Sequence, residues 1–221
     1  MGAERGGGRA SRDPEVELAA EVLRRGGIVV YPTETVYGLG ADASSPKAMA
    51  SFFRIKGREI GRGVSVLVSG LAMASSYLRD EPPADARALA EAFWPGPLTL
   101  VLPASDALVS SLCGETGGLG LRCSSDPVAC ELLSMFGKPI SASSANTSGG
   151  TPARSVGEAK TYFGAEVGFY LDGGPRPQGQ ASTVVEFLGD RAYLRRAGAV
   201  TVAALDSVLS TGVYVGKVPS V

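Results

Sequence analysis

The sequence predicts an α/β fold in which helices cover a twisted mixed sheet, and three observations support this. Apolar stripes of helical period alternate along the chain with short β-branched runs. The 30 glycines and 14 prolines are scattered rather than clustered, which indicates many turns between short elements. The last two apolar runs have the spacing of a hairpin, so we expect a mixed rather than a purely parallel sheet.

The elements follow from local signals. Residues 13–14 form an Asp-Pro helix start, and the apolar stripe after them ends at the glycines 26–27. Residues 28–31 are a continuous β-branched run, typical of a strand buried on both faces. A second helix begins at Pro46, and the next strand covers 64–68. Further helices are predicted over 71–78, 84–93, 126–136, 155–163 and 201–209, and further strands over 98–102, 119–122, 139–142, 168–171, 182–187 and 192–195.

The domain organisation is predicted to be simple. Residues 1–12 are rich in Gly and Arg and nearly free of large apolar groups, which predicts a disordered lead-in. Residues 13–209 are expected to form a single catalytic domain, since a chain of 221 residues can bury one substantial core. Residues 210–221 are predicted to be a tail or an edge strand.

Composition excludes several function classes. The 21 basic and 22 acidic residues give a net charge of -1, so there is no global basic field for nucleic acid or membrane binding. The chain has no histidine, which excludes Ser-His-Asp and Cys-His catalysis and histidine metal ligation. Three cysteines without CxxC spacing, no apolar signal core and no run long enough to span a bilayer predict a cytoplasmic protein without membrane contact.

Four cations lie within nine residues at the end of the second helix: Arg54, Lys56, Arg58 and Arg62. Gly57 is a natural helix terminator, and in extended chain residues two apart point the same way, so Lys56 and Arg58 could contact one polyphosphate. The alternative is a solvated helix end whose cations complement the helix dipole.

Two further segments have the composition of ligand-binding loops. Residues 139–150 run from an apolar strand into small hydroxyl and amide side chains, which would let a ligand approach main-chain N–H groups; the alternative is an ordinary Ser/Gly loop. Residues 31–40 run from a buried strand into hydroxyls and one carboxylate. There, Thr35 could hold an amino acid, or the segment could be a turn in which Glu34 caps local N–H groups.

Taken in order, these segments resemble the threonylcarbamoyl-adenylate synthase family, from about residue 14 to about residue 203. No GxxxxGK[ST] loop and no GxGxxG after a strand is present, so a nucleotide would need a different cradle. The matching pieces are Pro32-Thr33-Glu34-Thr35-Val36-Tyr37-Gly38-Leu39, the Lys56-x-Arg58 pair, Ser144-Ala145-Asn146 followed by Ser148-Gly149, and Arg196-x-Gly198.

The resemblance implies a YrdC-like sheet folded around a large basic cavity that holds ATP and L-threonine. It implies that L-threonine, bicarbonate or CO2 and ATP form threonylcarbamoyl-AMP and pyrophosphate for t6A37 modification of tRNA. Mg2+ would be carried by ATP, without protein ligands. The residues implied as catalytic are Lys56 and Arg58, those for ATP are Lys56, Arg58, Arg62, Ser144, Asn146 and Arg196, and those for threonine are Thr35, Arg122 and Ser182.

Several positions depart from the family pattern. Glu59 stands where the family commonly has Pro, Leu67 where many members have a threonine-contacting His, and Gln180-Ala181 has lost a carboxylate. The resemblance is to the short single-domain form, so the second domain of the longer forms is not expected. A downstream tRNA threonylcarbamoyl transferase is the expected partner, with direct tRNA contact left open. Two alternatives stay open: a carbamoyl-transfer relative with another acceptor, and a nucleotide- or RNA-binding paralogue without catalysis.

Overall fold

A computed structural model of the protein describes residues 13–108, 110–176 and 179–216. The α-helices in this part of the chain are α1 Pro14–Arg24, α2 Pro46–Lys56, α3 Leu71–Ser75, α4 Ala84–Phe93, α5 Pro127–Phe136, α6 Val156–Phe163 and α7 Val202–Asp206. The strands are β1 Val29–Tyr31, β2 Gly38–Gly40, β3 Ser65–Leu67, β4 Leu98–Pro103, β5 Gly118–Arg122, β6 Ile140–Ser144, β7 Phe169–Tyr170, β8 Thr183–Leu188 and β9 Arg191–Arg196. Short 3-10 helices cover Ser110–Leu112 and Gly164–Glu166.

The strands form one sheet in the order β7-β1-β2-β6-β3-β5-β4-β8-β9. The pairs β1–β7, β3–β5 and β4–β8 are parallel, and the other neighbouring pairs are antiparallel. The last two strands form the antiparallel hairpin that their spacing indicates. The predicted α/β fold with a mixed sheet is therefore confirmed.

Helix ends follow the predicted capping chemistry. The side chain of Asp13 accepts a hydrogen bond from the backbone N–H of Glu15 at 2.9 Å, and that of Ser45 accepts from Ala48 at 3.3 Å. A proline occupies the first helical position of α1, α2 and α5. Gly57 ends α2 in the left-handed conformation, with φ 61°, which a side chain would disfavour. This turn sends the chain after α2 towards the sheet.

Two cores lie on opposite faces of the sheet. Helices α1 and α5 cover one face, where they pack on Val29, Tyr31 and Ile140. The larger core on the other face includes Val30, together with residues of α2, α4 and α6. Strand β1 is therefore buried on both faces, as its continuous apolar run predicts.

Sequence reasoning missed strand β2, because its residues Gly-Leu-Gly carry no β-branched side chain. Helix α7 ends at Asp206 rather than 209, and α3 ends at Ser75 rather than 78. The predicted lead-in 1–12 lies outside the described residues. In the C-terminal segment, described as far as 216, Tyr214 forms a single parallel bridge with Tyr193 at the β9 edge.

Gly198, just after β9, lies in close contact with the backbone of the segment before β8. A Cβ added there would lie 2.4 Å from the carbonyl oxygen of Ala181 and 2.4 Å from the carbonyl carbon of Ser182, and backbone atoms cannot move away as a flexible side chain can. We expect Gly198→Ala to lower the free energy of unfolding by about 3 kcal/mol in chemical denaturation.

The matched control is Gly157→Ala in α6, where the nearest atom to the added Cβ is 3.7 Å away. This change should raise stability by up to about 1 kcal/mol, because alanine favours helix more than glycine does. Equal effects of the two changes would contradict the close backbone approach at Gly198.

Candidate functional site

A cavity of about 300 Å³ opens on one face of the sheet, within the size range of small-molecule sites. It is lined by the link between β1 and β2, the loop after α2, and strands β3, β4, β5, β6, β8 and β9. Its lining includes five arginines: Arg58, Arg62, Arg122, Arg195 and Arg196. Among the described residues, the one carboxylate in the lining is that of Glu186. Such an excess of guanidinium groups suits a polyanionic ligand.

Arg58 is the central cation of the loop after α2. Its Nη2 donates to the backbone carbonyls of Arg62, at 2.6 Å, and Gly63, at 2.7 Å, which fixes the guanidinium. Its Nε is buried without a hydrogen-bond partner. Burial, followed by the charge of Arg62, lowers the pKa of Arg58. A buried N–H donor in a cationic cavity is a position where an anionic oxygen would be stabilised.

Arg196 converges on the same space from β9. Its guanidinium donates to the carbonyl of Ser182 at 3.0 and 3.1 Å and to the Ser182 hydroxyl at 3.0 Å. Burial lowers the pKa of Arg196 most, and the charges of Arg122 and Arg58 lower it further. The three guanidinium groups therefore repel one another, and an anion between them would relieve that repulsion.

Lys56 lies behind the cavity wall and is not among the lining residues. Its side chain is buried, and Nζ donates to the carbonyl of Ser144 at 2.5 Å, the carbonyl of Asn146 at 2.7 Å and Asn146 Oδ1 at 3.2 Å. An ammonium has three N–H donors, so the loop uses all of them. The structure thus places Lys56 as a support for this loop, whereas Arg58 two residues later faces the cavity.

Asn146 is also outside the cavity lining. Its Nδ2 donates to the carbonyls of Thr147, at 2.7 Å, and Gly150, at 2.8 Å, and its Oδ1 accepts from the Ser144 hydroxyl at 2.5 Å. Ser144 itself lines the cavity. The loop that follows β6 is therefore held by hydrogen bonds among its own residues and by Lys56. Together, Asn146 and Lys56 keep Ser144 at the cavity wall.

Because of Lys56, we expect the free energy of unfolding of the protein to depend on pH. Burial, followed by the charge of Arg58, lowers its pKa from 10.5 to about 7. Between these pH values the unfolded chain binds more protons than the folded protein, so the free energy of unfolding should rise as pH rises from about 7 to about 10.5. The slope is at most about 1.4 kcal/mol per pH unit.

Chemical denaturation at several pH values in this window, on the wild type and on Lys56→Met, measures this effect. The wild type should gain stability relative to the variant as pH rises. Parallel pH dependences of the two proteins would contradict a lowered pKa of Lys56.

Arg122 and Glu34 form a second cluster between β5 and the segment after β1. Arg122 Nη2 donates to Thr35 Oγ1 at 2.8 Å and lies 3.0 Å from Glu34 Oε1. The Ser124 hydroxyl donates to the other oxygen of Glu34. Glu34 is thus an ion-pair partner and not a cap of local N–H groups. Arg122 Nε is buried without a hydrogen-bond partner, so the guanidinium can still receive a carboxylate.

The remaining predicted contacts lie beside this cluster. Ser182 lines the cavity, and its Oγ lies 3.0 Å from Thr99 Oγ1. Leu67, at the end of β3, also lines the cavity and is 1% exposed. Its apolar side chain therefore borders the space next to Thr35 and Arg122.

Of the residues predicted from sequence, the cavity brings together Thr35, Arg58, Arg62, Arg122, Ser144, Ser182 and Arg196, and it leaves out Lys56 and Asn146. Sequence reasoning missed Thr99, Thr116 and Glu186, and treated Arg195 only as part of a wall segment. Thr99 and Glu186 are buried polar residues inside otherwise apolar strands. Thr99 alternates with the core residues Leu98 and Leu100, and Glu186 with Val185 and Phe187; that alternation was the available signal.

The chain is similar to known proteins over most of its length. The Sua5/YciO/YrdC family model, whose description is telomere recombination, matches residues 21–198, most of the chain. The chain belongs to the Sua5/YciO/YrdC family. The family resemblance seen in the sequence is therefore confirmed, and with it, at the level of the family, the prediction of a nucleotidyltransferase-type enzyme.

Relatives of this Sua5/YciO/YrdC protein include the threonylcarbamoyl-AMP synthase of Halorhodospira halophila, 39% identical over 163 residues, which are 74% of this chain and 85% of the relative. The putative threonylcarbamoyl-AMP synthase of Mycobacterium leprae is 41% identical over 194 residues, 88% of this chain and 87% of the relative. The crystal structure of Pyrococcus abyssi Sua5 complexed with L-threonine has a TM-score of 0.86 and 31% identity. The match covers 92% of this chain and 61% of that structure.

Two features are absent from the described residues. No helix there is long and apolar enough to cross a membrane. Within the same residues, no group of three or more His, Cys, Asp or Glu side chains could hold a metal ion.

Proposed function

We propose that this protein is an L-threonylcarbamoyladenylate synthase that forms threonylcarbamoyl-AMP and pyrophosphate from L-threonine, bicarbonate or CO2, and ATP. The observation that supports this most is the pair of buried, unpartnered guanidinium donors, Arg58 Nε and Arg122 Nε, on one cavity. Two separate anion sites on one cavity suit a reaction that joins an amino acid to a nucleotide phosphate. The names of the relatives point to the same chemistry.

The phosphates of ATP are proposed to bind between Arg58, Arg62 and Arg196. The guanidinium groups of Arg58 and Arg196 are held by protein carbonyls, so they need little reorganisation when negative charge develops on the phosphates. Ser144 adds a hydroxyl at the wall, and Lys56 with Asn146 keeps its loop in place. Catalysis then depends on positioning and on charge stabilisation.

L-Threonine is proposed to bind beside Arg122, whose guanidinium receives the carboxylate, with Thr35 and Ser182 as hydroxyl contacts. The threonine amine attacks CO2 and releases a proton, or it attacks bicarbonate and water leaves; either route gives the carbamate. A carbamate oxygen then attacks the α-phosphorus, the bond to the bridging oxygen breaks, and pyrophosphate leaves. No protein nucleophile takes part, so the missing histidine is no obstacle.

Mg2+ is proposed to enter with ATP. The cavity wall fits a hard cation near the phosphates, because its hydroxyls on Ser143 and Ser144 are oxygen donors. When bound, Mg2+ neutralises charge on the phosphate oxygens. The residues of this chain supply the surrounding guanidinium groups.

The product is a mixed anhydride that is labile in water, so we propose that a tRNA threonylcarbamoyl transferase in the cytoplasm consumes it for t6A37 modification. Direct contact of this chain with tRNA is not required by this chemistry, because a free adenylate can pass between two enzymes.

The decisive experiment measures pyrophosphate release by the purified protein with Mg-ATP and bicarbonate, with and without L-threonine, and detects the adenylate by mass. Threonine-dependent release with the adenylate mass is the expected result. ATP turnover that is indifferent to threonine would favour a carbamoyl-transfer relative with another acceptor. No turnover at all would favour a nucleotide- or RNA-binding paralogue.

A further inference from the structure

Arg122 belongs to a row of side chains that crosses three neighbouring strands of the sheet. In this row Arg122 of β5 stands in register with Thr99 of β4 on one side and with Leu67 of β3 on the other. All three residues line the cavity, so their side chains lie on one face of the sheet. Neighbouring strands are about 4.8 Å apart, so a small ligand on Arg122 has a hydroxyl on one side and an apolar side chain on the other.

The polar side of the row is a pair of hydroxyls with spare hydrogen-bonding capacity. Thr99 Oγ1 and Ser182 Oγ lie 3.0 Å apart, and Arg196 Nη2 donates to Ser182 Oγ at 3.0 Å. One of the two hydroxyl protons serves the bond between them, and the other has no acceptor among the described residues. Both residues are buried, so a ligand oxygen that accepted this proton would satisfy a buried donor.

The apolar side of the row is Leu67. Its side chain packs in the core that also contains Tyr31 and Ile140, and Ile140 is its register partner on β6. Leu67, Thr99 and Ser182 are only 1% to 3% exposed, which marks a narrow end of the cavity. A narrow end with one apolar wall suits a small apolar group such as a methyl.

These two sides match the two substituents on Cβ of threonine, a hydroxyl and a methyl group. A carboxylate on Arg122 Nε, the guanidinium nitrogen nearest to β5, would hold the amino acid between the two sides of the row. The hydroxyl can then bond to the Thr99–Ser182 pair while the methyl contacts Leu67. Serine has the hydroxyl without the methyl, and 2-aminobutyrate has the methyl without the hydroxyl, so these analogues separate the two contacts.

We propose, on the basis of the proposed function, that Leu67 is the residue by which this protein distinguishes L-threonine from L-serine. The γ-methyl of threonine leaves water for the surface of Leu67, and serine has no group that can do so. Thr99, together with Ser182, recognises the hydroxyl that both amino acids share. Leu67 is a position at which this chain departs from the family pattern, so selection by an apolar contact is its own property.

The test measures kcat/KM of pyrophosphate release with L-threonine, L-serine and L-2-aminobutyrate at saturating Mg-ATP and bicarbonate. The wild type should prefer threonine to serine about 10- to 200-fold, the range for one methyl group in an apolar pocket. Leu67→Ala should lower this preference at least about 5-fold, because the methyl loses its contact. The preference for threonine over 2-aminobutyrate should stay within about 2-fold of the wild type, since the hydroxyl contacts are unchanged. A purely structural role of Leu67 would lower all three kcat/KM values in parallel.

Leu100→Ala is the matched control. Leu100 is also fully buried and follows Thr99 in β4, but it belongs to the core on the other face of the sheet and does not line the cavity. Both preferences should stay within about 2-fold of the wild type in this variant, because the same loss of buried volume occurs away from the amino acid.

Three results would overturn the proposal: a wild type without preference for threonine over serine, a Leu67→Ala variant with unchanged preference, or one that lowers both preferences together. If Leu67→Ala does not fold, as checked by thermal unfolding, Leu67→Val shortens the same contact and the same outcomes apply. A wild type whose pyrophosphate release no amino acid stimulates would overturn the proposed function itself, and this inference with it. The two failures are therefore distinguishable.

Discussion

Replacing Arg58 by alanine should lower threonine-dependent pyrophosphate release about 10²- to 10³-fold, the usual cost of removing one preorganised donor at a developing charge. The guanidinium is fixed by two carbonyls, belongs to a residue that lines the cavity, and keeps a buried Nε without a hydrogen-bond partner. Steady-state kinetics of pyrophosphate release would measure the loss, and thermal unfolding would show whether the fold is kept.

Arg54→Ala is the matched control for this change. Arg54 carries the same charge four residues earlier, but it is exposed, pairs with Glu166 at 2.5 Å and lies outside the cavity. Activity close to that of the wild type is expected for this variant. A fully active Arg58→Ala protein would remove the basis for a phosphate site at the end of α2.

Replacing Arg122 by lysine should raise KM for threonine about 10- to 100-fold and leave KM for ATP nearly unchanged. Lysine keeps the positive charge next to Glu34, so this largely buried carboxylate is not left unpaired. It loses the planar fork that lets one guanidinium contact Thr35, Glu34 and an incoming carboxylate together. Pyrophosphate release measured at varied threonine and at varied ATP separates the two parameters.

Arg176→Lys offers a comparison for the same substitution. Arg176 also makes a largely buried ion pair, at 2.7 Å from Asp126, but it does not line the cavity. Its replacement should change stability without a selective effect on KM for threonine. If both variants shift the two KM values in parallel, Arg122 has no special role in threonine binding.

Much of the site was visible in the order of residue types along the chain. The cations after α2, the hydroxyl and amide run after β6 and the Thr35 segment after β1 were predicted as separate ligand-binding candidates. The sheet brings all three to one cavity, because β1, β2, β6 and β3 are consecutive neighbours in its strand order. Strand order depends on pairing between distant segments, which local patterns do not encode.

The different roles of neighbouring residues within these motifs could not be predicted from the sequence. Lys56 and Arg58 are two residues apart in a cation-rich run. Lys56 donates its hydrogen bonds to carbonyls of the Ser144–Asn146 loop, whereas Arg58 lines the cavity. The difference arises from the left-handed turn at Gly57 combined with the position of a loop about 90 residues away. Glu186 was likewise missed. The role of a single carboxylate in an apolar strand depends on its neighbours in space, here Thr116 and Arg195, which the sequence does not place beside it.

The sequence by itself determined the α/β class, most element positions, the capping of the helices and the family, because these depend on periodicity, capping residues and ordered motifs that act locally. The tertiary structure alone decided which of the cations line the cavity and which residues hold them in place. Burial and hydrogen bonding depend on contacts between segments far apart in the chain, and folding creates those contacts.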